Sequence, residues 1–151
     1  MARYMLNADT LSYALRGQGQ VAARLLQHHP SDLCTSSITL AELSFGAEAK
    51  RSQRIRRAIH GFTKDVAVLP FDEACAERFA VVAAAFTTRG QAIGAYDTLV
   101  AAQALCLGLT VVTNNTRVGR RELGLATRLQ SKALKLTKRG QVRSFAAQLQ
   151  C

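Results

Sequence analysis

Asp97-Thr-Leu-Val-Ala-Ala-Gln-Ala-Leu-Cys-Leu-Gly108-Leu-Thr-Val-Val-Thr113 decides the fold. Residues 97–107 are small or apolar almost throughout and run too long for a strand, so they read as a helix. Gly108 fits its C-cap, because glycine adopts the left-handed conformation that ends helices without a Cβ clash. Leu109–Thr113, rich in β-branched residues, then reads as a buried strand. A helix that passes through one glycine into an apolar strand is half of a parallel α/β unit.

The same alternation runs back toward the N-terminus. Val66-Ala-Val-Leu-Pro-Phe71 fits a buried strand, with Asp72 capping a long helix over 74–88 whose apolar positions include Phe79, Val82 and Phe86. Residues 52–62 carry a helix with Ile55, Ile59 and Phe62 on one stripe, and Arg54, Arg56 and Arg57 mostly off it. Leu33–Ile38 reads as a strand leading into a helix that Thr39 opens, and 21–28 as a short helix stopped by Pro30. Residues 3–7 form a first short strand, followed by a helix that starts at Asp9-Thr10 and ends at Gly17. Strands separated by helices predict an α/β fold around a mostly parallel sheet.

The chain has 151 residues, 48% of them hydrophobic, and a mean hydropathy of +0.03, which suits one compact domain and not two. Twenty Lys and Arg against ten Asp and Glu give a net charge of +10, which favours a polyanionic partner. Nine of those twenty bases fall between Arg117 and Arg143, with Glu122 the only acid there. Residues 126–151 therefore read as a basic, weakly structured tail behind a domain spanning 1–125.

Cys34, Cys75, Cys106 and Cys151 form no CxxC pair and read as small buried hydrophobes. The N-terminus lacks a secretory apolar stretch and no run spans a bilayer, so a cytoplasmic protein without membrane partners is expected. No histidine pairs with a plausible nucleophile, and phosphate loops of the GxGxxG or GxxxxGK[ST] type are missing.

Three polar residues lie at element edges where an α/β sheet gathers its functional groups: Asn7, Glu42 and Asp97. Clustered carboxylates hold the hard divalent cations that assist phosphodiester hydrolysis. Each residue also has an ordinary reading. Thr39-Leu-Ala-Glu42 matches a capping box, Asp97 suits the N-cap of the helix that follows it, and Asp9 suits the cap of a helix beginning at Thr10. Thr113-Asn-Asn-Thr116 is turn chemistry, or else a set of polar groups that orient water or phosphate.

Five blocks in order resemble the PIN-domain ribonuclease toxins of the VapC type: residues 4–15, Ser37-Ile-Thr-Leu-Ala-Glu-Leu-Ser-Phe-Gly-Ala-Glu48, Val68-Leu-Pro-Phe-Asp72, Arg89-Gly-Gln-Ala-Ile-Gly-Ala-Tyr-Asp97, and Val111-Val-Thr-Asn-Asn-Thr-Arg117. The resemblance implies a three-layer α/β/α fold and Mg2+- or Mn2+-dependent endoribonuclease activity on structured RNA of the tRNA or rRNA class. It also implies a homodimer, or a hetero-oligomer with a VapB-type antitoxin. Glu42 and Asp97 match the second and third family acids as metal-holding catalytic residues. Thr113 and Asn115 match supporting polar positions.

The first family acid falls on Asn7, a candidate catalytic and metal-holding residue that keeps a carbonyl ligand and loses the charge. The fourth falls in a block that here reads Val118-Gly119. Asp9, two residues beyond Asn7, is the nearest carboxylate that could complete the shell. The alternative implied by these departures is a catalytically impaired member that keeps antitoxin and RNA binding.

Overall fold

A computed structural model describes residues 1–88, 90 and 93–113, together with two strands at 134–136 and 142–144. Its chain order is β1 (Tyr4–Leu6), α1 (Ala8–Leu15), α2 (Val21–Leu25), a 3-10 turn (Pro30–Asp32), β2 (Leu33–Ser36), α3 (Ser37–Ala49) and α4 (Gln53–Asp65). There follow β3 (Ala67–Leu69), α5 (Glu73–Thr88), α6 (Ala95–Cys106), β4 (Thr110–Thr113), β5 (Leu134–Leu136) and β6 (Val142–Ser144).

The strands form one sheet in the order β3-β2-β1-β4-β5-β6, parallel except for the β5–β6 pair. β1 lies between β2 and β4, with Leu6 opposite Thr35 on one side and Val112 on the other. From β1 the chain winds outward through β2 to β3, then returns to the other side of β1. The sheet therefore has its topological switch point between β1 and β4, and a crevice opens there at the carboxyl ends of the strands.

Alternation along the strands sorts the core into two layers. Leu6, Leu33 and Val112 pack with Leu11, Val21, Leu43 and Ile59 from α1 to α4. Met5, Cys34 and Val111 point the other way, onto Val100 and Ala104 of α6, and α6 in turn packs Ala102 against Val82 and Phe86 of α5. The expected three-layer α/β/α arrangement is thus present, set by the period-2 direction of strand side chains.

Several local expectations are corrected. Asn7 caps α1: its Oδ1 accepts from Thr10 N–H at 3.0 Å, so Asp9 lies inside the first turn. Ser36, and not Thr39, caps α3, accepting from Ile38 N–H at 3.0 Å. Thr39 is buried within the helix, and its Oγ1 has no hydrogen-bond partner among the described residues. Gly94 is the N-cap of α6, which places Asp97 in its first turn. β5 and β6 fall within the segment read as weakly structured, and β5 extends the sheet beside β4. Gly108 (φ 66°) does end α6, and Asp72 Oδ1 does cap α5 by accepting from Cys75 N–H at 3.0 Å. Cys34 and Cys75 are buried, Cys106 half-buried, and Cys151 lies outside the described residues.

Candidate active site

The ordinary readings of Glu42 and Asp97 fail with their caps. Glu42 sits in the second turn of α3 with no cap to complete, and Asp97 sits beyond a cap made by Gly94. Both are half-buried carboxylates with no ion-pair partner among the described residues. Such groups are costly to keep ionised, so their positions ask for a reason other than local stability.

They face one cavity of about 510 Å3, lined also by Asp9, Arg16, Lys50 and Arg54. Burial raises the Glu42 carboxyl above its ordinary range, and the charges of Asp97 and Asp9 raise it further. Burial likewise raises Asp97; a hydrogen bond from the Asn7 side chain draws it back, and Asp9 pushes it up again. Asp9 is raised by burial and drawn back by Arg16. Glu42 and Asp97 thus each feel a neighbouring acid.

Asn7 is buried, with 2% of its surface exposed, at the carboxyl end of β1. Only an oxygen can accept from Thr10 N–H, so the cap fixes the orientation of the amide. Nδ2 must then point the other way, and it donates to Thr113 Oγ1 at 2.9 Å. Alternation puts Asn7 and Thr113 on the face covered by α6, which carries Asp97. An amide N–H therefore stands where a carboxylate would have presented its second oxygen. Asn115, the other expected polar residue, and Val118 lie outside the described residues.

Gln103 is a contributor that sequence reading missed. Fully buried in α6, it accepts from Ser36 Oγ at 2.5 Å and donates from Nε2 to Pro70 O at 2.9 Å and Leu69 O at 3.3 Å. It ties the helix bearing Asp97 to the start of the helix bearing Glu42 and to the end of β3. The only sequence signal was one amide in the apolar run Val100-Ala-Ala-Gln-Ala-Leu105.

The donor set suits a hard divalent cation, since anionic oxygens that raise one another's proton affinity are relieved by one. Among the described residues no three His, Cys, Asp or Glu side chains already stand close enough to ligate one ion.

An α/β/α sandwich with carboxylates at its switch point belongs to the open α/β folds that bind ligands at the carboxyl ends of their strands, and sequence comparison narrows the class. A PIN domain profile matches residues 4–122, and the chain belongs to that family. It is 31% identical over 128 residues to the tRNA(fMet)-specific endonuclease VapC of Shigella flexneri, an alignment covering 84% of this chain and 97% of that protein. It is 30% identical to Ribonuclease VapC2 of Haemophilus influenzae (strain ATCC 51907 / DSM 11121 / KW20 / Rd), over the same shares of each chain. Among solved structures it resembles the DNA-bound VapBC of Salmonella typhimurium, with a TM-score of 0.73 and 32% identity over 82% of this chain and 95% of that one.

Proposed function

We propose that this chain is the ribonuclease toxin of a toxin–antitoxin pair, a cytoplasmic endonuclease that uses Mg2+ or Mn2+ to hydrolyse phosphodiester bonds in structured RNA of the tRNA class. The observation that carries the reading is the convergence of Glu42, Asp97 and Asp9 on one cavity beside the switch point. Relatives named as endonucleases and ribonucleases support the reaction, and the VapBC complexes among its structural neighbours support an antitoxin partner. Phe45 and Leu26, 73% and 85% exposed, give apolar surface for such a partner or for a second copy of the chain. Among the described residues no helix is long and apolar enough to cross a membrane.

In this reading Asp97 and Glu42 hold the ion, and Asp9 adds its negative charge from the wall of the same cavity. When bound, the ion supplies Lewis acidity toward the phosphodiester. Asn7 orients Asp97 and Thr113 by its amide and fixes the start of α1, while Gln103 holds α6 and α3 in mutual register.

A second reading rests on the Asn7 amide. A hydrogen bond from Asn7 to Asp97 partly satisfies the carboxylate without a cation, so the chain keeps the fold and its partners with hydrolysis impaired. One assay separates the two: tRNA cleavage in Mn2+ by the chain as it stands, by Asn7→Asp, and by Asp97→Ala. Cleavage that vanishes in Asp97→Ala supports an active nuclease. Cleavage only by Asn7→Asp supports the impaired form, and cleavage by none of them overturns the nuclease reading.

A further inference from the structure

The cavity that collects the acids has a second end of opposite charge. Asp9, Ser12 and Arg16 lie along one face of α1, and Glu42, Gly46 and Lys50 along one face of α3. Both helices leave the carboxyl edge of the sheet, so each carries its acid near that edge and its base about 11 Å farther along its axis. α4 begins at the far end and adds Ser52 and Arg54.

The side chains of Lys50 and Arg54 are exposed and make no hydrogen bond or ion pair with the described residues. Arg16 is pinned by donating from Nε to Ser12 O at 3.2 Å. The corner that presents Lys50 and Arg54 is held firmly. Arg56 bridges to Glu48 at 2.6 Å, Ser52 Oγ caps α4, and Arg51 N–H and Ser52 N–H close the end of α3 on Glu48 O and Ala47 O at 2.9 and 3.0 Å. Arg51 stands there at φ 49°, the one described residue other than glycine with a positive φ. Glycine would hold this bend at lower cost, so Arg51 places a further cation beside Lys50 in a conformation the backbone disfavours.

We propose that Lys50 and Arg54, with Arg16 across the groove, form a subsite for an RNA backbone phosphate adjacent to the one presented to the acids. The proposal rests on the ribonuclease reading and gives its substrate a direction, along the groove between α1 and α3. A phosphate beside Asp9, Glu42 and Asp97 is repelled until a cation intervenes, whereas one beside Lys50 and Arg54 needs no cation. RNA binding is therefore separable from the metal and persists without it.

The test is binding of a fluorescein-labelled tRNA to the full chain in EDTA, by anisotropy across a salt series. The expected result is at least a tenfold affinity loss for the double variant Lys50→Ala/Arg54→Ala. The slope of log affinity against log salt should shrink by about 0.7 to 0.9 per lost contact. Lys64→Ala, at the other end of α4, should change affinity less than twofold. Lys50→Arg/Arg54→Lys should restore both affinity and slope, and circular dichroism melts confirm that each variant folds.

Equal binding by the double variant and Lys64→Ala overturns the subsite, as does a native chain that ignores the RNA in EDTA. If the double variant binds RNA normally and loses a VapB-type antitoxin, the corner serves a protein and the proposal fails. Because no cleavage is read, loss of binding in a chain that cuts nothing upholds the subsite while the nuclease reading falls.

Discussion

Asn7 Nδ2 donates to Thr113 Oγ1 at 2.9 Å, joining the carboxyl ends of β1 and β4 across 106 residues of sequence. The bond crosses the point where the chain reverses its winding through the sheet. The polarity of this bond fixes which branch of the amide is the donor. With the Oδ1 of Asn7 taken by Thr10 N–H, the other branch of the side chain is a donor, and a donor does not ligate a cation.

Asn7→Asp should convert that donor into an acceptor without disturbing the cap, since Asp and Asn cap helices equally well. Mn2+ should bind about tenfold tighter, about 1.4 kcal/mol, by titration calorimetry. Without divalent ions the variant should melt below the parent, because it adds a carboxylate beside Asp97, and Mn2+ should reverse the order. Identical Mn2+ affinities would remove Asn7 from any account of the metal.

Asp9→Asn tests whether the neighbouring acid has taken over. In the native background it should weaken Mn2+ binding at least as much as Asn7→Asp strengthens it. In an Asn7→Asp background its effect should shrink, because the position-7 carboxylate then does the same task. The two substitutions should therefore be non-additive by about 1 kcal/mol or more, as expected of groups sharing one ligand. Strict additivity would place Asp9 outside the metal shell.

The alternation of strands and helices through β4 was legible because each of these strands is a short run bounded by a glycine, a proline or a cap, whereas β5 and β6 carry Lys135 and Arg143 in their short runs and read as part of a basic tail. The identity of the caps was less so. Thr39, Asp9 and Asp97 are all good N-cap residues by type, yet Ser36, Asn7 and Gly94 take those places because the strands end a few residues earlier. A cap is chosen by where the sheet releases the chain, which local sequence does not state. The same shift turns Asp9 and Asp97 from structural residues into cavity residues. Gln103 was hidden for a related reason: its partners lie 67, 34 and 33 residues away.

The acids also set a pH dependence. Burial raises Asp97, Glu42 and Asp9 above their ordinary 3.8, 4.5 and 3.8, and neighbouring acids reinforce this for the first two. The folded protein therefore holds these protons more tightly than the unfolded chain. The stability they lend is full below the ordinary values and is lost as pH rises through the raised ones. Metal-free Glu42→Gln should consequently be more stable than the parent at neutral pH, with a flatter profile above the ordinary 4.5 in thermal melts. Asp72 acts in the opposite sense. Hydrogen bonds from Cys75, chiefly its backbone N–H, hold it low, and its support is present above 3.8 and lost as pH falls through the lowered value. A Glu42→Gln profile parallel to that of the parent would contradict the assignment.

Gln103→Leu preserves bulk and removes the bonds to Ser36 Oγ, Leu69 O and Pro70 O in one step. Leaving buried carbonyls unpaired should cost about 1–3 kcal/mol, read as a lower urea midpoint with unchanged slope. Gln103→Glu should be worse, since a carboxylate cannot donate to the two carbonyls and must stay protonated or charged in the core. A Leu variant as stable as the parent would show that the amide is not what holds α6 to β3.

Arg51→Gly separates stability from binding at the corner of α3 and α4. Arg51 holds φ 49° at the position where the closing bonds of α3 require a left-handed residue. An L side chain there costs about 1 kcal/mol that glycine avoids, offset in part by the extra freedom glycine gives the unfolded chain. The variant should therefore melt at the same temperature as the parent or higher, while losing one cation next to Lys50 and Ser52, which line the groove. If the basic corner guides RNA, affinity should fall as stability holds or rises. A fall in both would mean that Arg51 supports the fold, and that the strain at this bend has another cause.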